Sequence, residues 1–188
     1  MLLAGKDFRH SVTAFSDDCP GPQARYSAEI HNRFFAAVRN GMIGEFRRQF
    51  DKGGRADSVF FGPEQISIHS VTADQRTGIG VVIEGSAFDI VAVNLEGPAK
   101  FDTLMATRYS EGWPALSPDN RWLAYQSDES GRMEVYMRAW PSLGSKVQVS
   151  QNGGTEPTWS RDGKELFYRS GGGTEPKMAA AVVVDGRV

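Results

Sequence analysis

The stretch Pro114-Ala115-Leu116-Ser117-Pro118-Asp119-Asn120-Arg121-Trp122-Leu123-Ala124-Tyr125-Gln126-Ser127 returns, altered, as Pro157-Thr158-Trp159-Ser160-Arg161-Asp162-Gly163-Lys164-Glu165-Leu166-Phe167-Tyr168-Arg169-Ser170. From proline to proline, aspartate to aspartate and tyrosine to tyrosine the offset is 43 residues. A fixed period of about 40 to 45 residues, with each unit reading as short strands, is the spacing of one β-propeller blade, because four strands of five or six residues plus turns need that length of chain. Each copy reads as the end of one strand, a tight turn and the start of the next strand, the latter rich in Trp, Leu, Tyr and Phe. In the turn Pro118 presets φ, Asp119 and Asp162 can accept from their own downstream backbone, and Gly163 takes a positive φ where Asn120 is the next best tolerated residue. Ser117, Pro118, Asp119, Asn120, Ser160, Asp162 and Gly163 are therefore read as turn formers. A calcium loop would need carboxylates at close alternate spacing with a glycine, and neither turn has them.

Working outward, Ser127 to Arg132 reads as a hairpin loop, Met133 to Trp140 as a third strand and Lys146 to Ser150 as a fourth, which closes one unit over 109–154. Upstream, Ser67 to Thr72, Gly78 to Glu84 and Asp89 to Leu95 read as strands, with Lys100 to Thr107 as a fourth. Asp74 lies 45 residues before Asp119, so 63–108 is a more degenerate unit of the same kind. Downstream, 155–188 reads as an incomplete unit, with Lys177 to Val184 as its third strand and Asp185-Gly186 as its next turn. The fold class expected is mainly β, a partial β-propeller of two to three four-stranded blades, at most three, with a short N-terminal helical segment.

The pattern Pro-x-x-Ser-Pro-Asp-Asn/Gly, then Leu-Ala/Phe-Tyr-x-Ser, then Glu134-Val135-Tyr136, then Gly153-Gly154-x-Glu156-Pro157-x-Trp159-Ser160-Arg161-Asp162-Gly163 resembles the PD40 repeats of TolB-like, WD40-like propellers, over about 64–188. The run Asp128 to Arg138 is similar to blades that bacterial serine/threonine kinases and Tol-type transport proteins carry as C-terminal sensor or docking domains. The resemblance implies a protein-binding or scaffolding module, usually extracytoplasmic or periplasmic, with no catalytic residue, since the matching positions form turns and strand cores. Two rival readings place chemistry outside these residues: an extracytoplasmic sensor appendage of a kinase, with the chemistry upstream, and the propeller of a prolyl-oligopeptidase-like serine hydrolase, with the chemistry downstream.

Propellers close with about four to eight blades, and fewer leave exposed sheet edges. The chain is accordingly read as a fragment of a longer protein. The run Ala179-Ala180-Ala181-Val182-Val183-Val184, with no charge or proline, is expected to expose an edge prone to edge-to-edge self-association.

Residues 1–62 match no blade. Ile30, Phe34, Val38, Met42, Phe46 and Phe50 fall on a four-residue step, which predicts two short amphipathic helices, roughly 24–39 and 42–50, broken at Asn40-Gly41. Between Pro22 and Arg55 seven Lys or Arg face three acids, a net +4 within a chain of net −2. A basic amphipathic segment over 24–50 can contact an anionic membrane surface, and a helical pair on the propeller's flank with solvated arginines is the simpler reading. Nucleic acid is not expected, because a pI near 5.9 offers little electrostatic drive. His10-Ser11-Val12-Thr13-Ala14 recurs as His69-Ser70-Val71-Thr72-Ala73 at an offset of 59, which fits no blade period. Phe15-Ser16-Asp17-Asp18 resembles the Ser-Pro-Asp-Gly turn, which leaves a decayed blade start and a shifted reading frame both open.

The remaining signals exclude more than they assign. With 40% apolar and 23% charged residues, the composition is that of an ordinary globular domain, and 21 glycines suit a turn-rich β fold. The single Cys19 forms no intrachain disulfide or paired-cysteine zinc site, and Asp17 and Asp18 beside it do not activate a thiol. No Gly-x-Ser-x-Gly elbow, phosphate loop or His-Arg-Asp segment occurs, His10, His31 and His69 are scattered, and nothing calls for a metal or another cofactor. Asp128 and Glu129 read as solvent-facing loop carboxylates rather than an acid and base pair. No apolar run is long enough to span a membrane, and Met1 to Gly5 is too short for a signal peptide.

Overall fold

The computed structural model describes residues 32–39, 42–49, 57–61, 65–84, 87–96, 100–171 and 177–183. They build four antiparallel sheets in chain order. The first holds β1 (Asn32–Arg39), β2 (Met42–Gln49) and β3 (Asp57–Phe61). The second holds β4 (Gln65–Val71), β5 (Thr77–Glu84), β6 (Ala87–Asn94) and β7 (Phe101–Met105). The third holds β8 (Glu111–Leu116), β9 (Trp122–Ser127), β10 (Glu134–Ala139) and β11 (Lys146–Gln148), and the fourth β12 (Gly154–Trp159), β13 (Glu165–Ser170) and β14 (Lys177–Val182). Within each sheet, strands that follow one another in sequence pair. The first strands of successive sheets lie beside one another, β1 by β4, β4 by β8 and β8 by β12, so each sheet stands as a blade with its first strand innermost.

The sheets pack face to face through apolar seams. Ile79, Val81 and Ile90 of the second sheet meet Leu123, Tyr125 and Tyr136 of the third. On the far side of the third sheet Ala124, Val135 and Met137 meet Leu166 of the fourth. Alternate residues of β9 and β10 thus serve opposite seams, which is why Leu123, Ala124 and Tyr125 in β9, and Val135, Tyr136 and Met137 in β10, are buried in succession. Each fully buried side chain of this size stabilises by roughly 1.5–3 kcal/mol, against about 1 kcal/mol for a hydrogen bond, so the seams hold the sheets together. Three polar links supplement them: Leu116 N–H donates to Ser70 Oγ (3.0 Å), Trp159 Nε1–H to the Ala115 carbonyl (3.0 Å), and Glu156 N–H to Gln126 Oε1 (3.0 Å).

Two expectations are corrected here. Within the spans read as helices, 24–39 and 42–50, Asn32–Arg39 and Met42–Gln49 are strands, paired antiparallel with Phe35 opposite Phe46 and Arg39 opposite Met42. A four-residue step is shared by both periodicities, since residues four apart lie on one side of a strand as well as near one face of a helix. Arg39 and Met42 leave only Asn40-Gly41 between the strands, the strongest short hairpin signal, which outweighs the helical step. Second, the described sheets number four, because 32–61 supply a three-stranded sheet where no blade was expected. Residues 24–31, Cys19, His10 and His31, the His10 to Ala14 repeat and the turn at Asp185-Gly186 lie outside the described residues.

Candidate functional site

The repeat turns come first, because they set the inner ends of the blades. Ser117 Oγ donates to Asp119 Oδ1 (2.6 Å) and accepts from Trp122 N–H (2.9 Å), while Arg121 N–H donates to Asp119 Oδ1 (3.1 Å). Ser160 and Asp162 repeat this pattern: Ser160 Oγ to Asp162 Oδ1 at 2.7 Å, Glu165 N–H to Ser160 Oγ at 2.9 Å, Lys164 N–H to Asp162 Oδ1 at 3.1 Å. Thr72 and Asp74 build the same turn in the second sheet, with Thr72 Oγ1 to Asp74 Oδ1 at 2.6 Å and Thr77 N–H to Thr72 Oγ1 at 3.1 Å. The residue after each aspartate takes a left-handed φ: Gln75 at 58°, Asn120 at 54°, Gly163 at 71°. Pro118 and Arg161 occupy the intervening position, Pro118 exposed. Each carboxylate is spent on its own turn. The Thr72 hydroxyl and the Arg76 N–H lower Asp74; burial raises Asp119, and the Ser117 hydroxyl and Arg121 overcome it to leave it low; the Ser160 hydroxyl and the Lys164 N–H lower Asp162.

The innermost strands carry the less ordinary geometry. The inner strands β4, β8 and β12 each break register at one place, where two residues oppose one: Ile68-His69 against Gly80, Trp113-Pro114 against Tyr125, and Glu156-Pro157 against Tyr168. Trp113 and Glu156 adopt φ of 49° and 55°, a conformation that bulky residues rarely hold and that costs on the order of 1–3 kcal/mol. The bulges project side chains with binding chemistry. The Trp113 indole lies between the His69 imidazole (ring centroids 5.8 Å) and the Phe88 ring (6.2 Å), and Glu156 on the next inner strand pairs with Arg169 (2.8 Å). Packed atoms around His69 desolvate its imidazole and lower it to about 4, although one side stays open to solvent, so the ring is neutral near pH 7.

Two carboxyls are buried beside this row, and they differ. Burial pushes Glu134 up, but the Ser150 hydroxyl, the Gly153 N–H (2.9 Å) and the Arg132 guanidinium (2.7 Å) hold it below the usual range. It is a fully satisfied tie between β10 and the connection to β12. Glu111 is 3% exposed; one oxygen accepts from the Thr107 hydroxyl, and Oε2 has no hydrogen-bond partner. Burial is the main reason its carboxyl is raised, with Asp89 and Glu129 adding repulsion. Asp128 accepts from Ser110 N–H (2.9 Å) and Glu129 pairs with Lys146 (2.6 Å), so both loop carboxylates are engaged. Among the described residues no group of three His, Cys, Asp or Glu could hold a metal ion.

The repeat turns are contiguous motifs in the sequence, where His69 is one of three scattered histidines. Trp113, Glu156 and Glu111 were missed, because their setting depends on register. Superposing the units at offsets of 45 and 43 residues was the available signal.

Radially stacked antiparallel sheets with innermost first strands define a β-propeller, and the hydroxyl-x-Asp turns recur from blade to blade. The fold is that of TolB-like propellers. The chain is similar to TolB from Acinetobacter baumannii (TM-score 0.66, 13% identity, 81% of this chain and 38% of that one) and to a putative TolB from Agrobacterium tumefaciens (0.69, 17%, 83% and 58%). It is also similar to a Mycobacterium tuberculosis puromycin-hydrolyzing peptidase (0.63, 14%, 84% and 26%), so it spans less than two thirds of each of these structures. No family model and no curated protein matches the sequence.

Proposed function

We propose that this chain is a non-catalytic protein- or peptide-binding module, part of the propeller of a larger extracytoplasmic protein, and that it binds through the bulged inner strands. The observation that carries this reading is the pair of strained bulge residues, Trp113 and Glu156, at equivalent places on adjacent inner strands. Backbone strain in a bulky residue persists where surrounding structure imposes it, and it clusters where side chains are aimed at ligands. An indole backed by His69 and Phe88, with a carboxylate on the neighbouring strand, suits a peptide that offers an apolar or cationic side chain. The extracytoplasmic placement rests on the PD40 resemblance. Similarity to a peptidase supports a second reading, in which the same blades serve as the propeller of a serine hydrolase whose catalytic residues lie outside this sequence.

Panning a random-peptide phage library against the immobilised chain tests the binding reading. Enriched peptides are expected to lose about tenfold in affinity, roughly 1.4 kcal/mol, on Trp113→Ala and on Glu156→Gln, each variant keeping the parent circular dichroism spectrum. Peptides that bind both variants as well as the parent would remove the inner strands from the site, and failure to enrich any peptide would count against a binding module.

A further inference from the structure

Equivalent positions in the second, third and fourth sheets show what the fold itself asks for at the start of the inner strand. Ile66 pairs with Val82, Glu111 with Ser127 and Gly154 with Ser170, and the three are spaced by the same 45 and 43 residues as the turns. Ile66 is buried in an apolar cluster, and a side chain at Gly154 would overlap Ser150. One repeat therefore fills this site with a hydrocarbon, and another has no side chain there because Ser150 takes up the space. The third repeat places a carboxyl there, at 3% exposure, with Oε2 unpartnered. Packing does not require it, and an unsatisfied buried carboxyl costs stability.

Glu111 also stands where three segments meet. Its held oxygen takes the Thr107 hydroxyl, and the same Thr107 Oγ1 accepts from Tyr109 N–H (3.1 Å), so the β7–β8 connection is fastened to this carboxyl. The connection's far end is fastened by Ser110 N–H to Asp128 of the β9–β10 loop. The groups around Glu111 are mostly acidic or neutral: Asp89 of β6, Glu129 of the β9–β10 loop, the Tyr125 phenol of β9, which accepts from Arg138 of β10 (3.2 Å), and Tyr109 in the connection, whose hydroxyl accepts from Arg108 (2.7 Å). Lys146, the nearby cation on β11, is committed to Glu129 at 2.6 Å. An ionised Glu111 would thus carry a buried charge beside Asp89 and Glu129, while the cations nearby are held by other groups: Arg108 by Tyr109, Lys146 by Glu129, and Arg138 by the Tyr125 hydroxyl and the Leu143 and Gly144 carbonyls.

We propose that Glu111 is a proton-operated latch on the seam between the second and third sheets: protonated, it fastens the Thr107 to Ser110 connection; ionised, it releases that connection and shifts β8 at Trp113, two residues on. The inference is independent of what the inner strands bind. The released state is favoured as pH rises, because a buried acid is destabilised only in its charged form.

Nuclear magnetic resonance of the whole chain tests it. Between pH 4 and 8 the amide signals of Tyr109 and Ser110 and the Trp113 indole Nε1–H are expected to move together, with the Glu111 side-chain carbonyl carbon titrating at the same midpoint, above the ordinary 4.5. In Glu111→Gln, and in Glu111→Ile, which copies position 66, that shared transition is expected to vanish. A Glu111 carbon titrating at or below 4.5, or connection amides that ignore its midpoint, would overturn the proposal on the parent protein alone, even if neither variant folds. Persistence of the transition in a folded Glu111→Gln would overturn it equally.

Discussion

Ser117 shows how much one hydroxyl does in this fold. It is 2% exposed, donates to Asp119 and accepts from the backbone N–H groups of Trp122 and Arg121. Ser117→Ala leaves Trp122 N–H without its acceptor, so the variant is expected to lose roughly 1–3 kcal/mol in urea unfolding, and Ser160→Ala, at a more open turn, to lose less. The aspartates add an acid limb. Their folded pKa values are depressed, so the stability they confer is present above the ordinary aspartate value of 3.8 and is lost as pH falls through their lowered values. Asp119→Asn is expected to flatten the decline of the urea midpoint below that pH. A decline as steep as the parent's would mean that other carboxylates govern it. The turns were legible in the sequence because hydroxyl, aspartate and left-handed residue are contiguous. Glu111 was not, since a glutamate followed by Gly112 carries no local signal of burial.

Among elements, the inner-strand bulges show one irregularity built in two ways. Where the first bulged residue is Trp113 or Glu156, its left-handed φ accompanies a tyrosine opposite, Tyr125 or Tyr168. In β4 that residue is Ile68, whose branched Cβ disfavours left-handed φ, and the residue opposite is Gly80. A Cβ at Gly80 would run into the Ser67 carbonyl and the Ile68 backbone, so the strands approach too closely for any side chain. Gly80→Ala is expected to cost about 1–3 kcal/mol, since backbone rather than a flexible side chain must yield. A thermal midpoint equal to the parent's would show that β4 shifts freely. The N-terminal strands teach the complementary lesson. A four-residue apolar step fits both periods, and only Asn40-Gly41 distinguished a hairpin from a helix break.

At the scale of the whole molecule, the 43-residue period gave the blade type directly, because repetition requires no knowledge of how the sheets meet. It did not reveal the first sheet, whose hairpin lacks the serine and aspartate turn, nor the seams, which draw alternate residues of one strand to opposite neighbours. The seams also explain where association is expected. The second and third sheets hold four strands each, whereas β14 of the fourth pairs with β13 on one side and with no described strand on the other. Its sequence, Lys177-Met178-Ala179-Ala180-Ala181-Val182, has one charge at its start, and Met178 is 73% exposed. A row of unpaired backbone groups beside small apolar side chains is a template for another strand. In a longer protein the next strand of the same chain takes that place; in the isolated polypeptide a second copy is expected to. Light scattering after size-exclusion chromatography should therefore show a mass that rises with loading concentration, and Ala180→Lys should return it toward the 20.6 kDa monomer. A monomer at every concentration would mean that the edge is already protected, and would turn attention from β14 to whatever covers it.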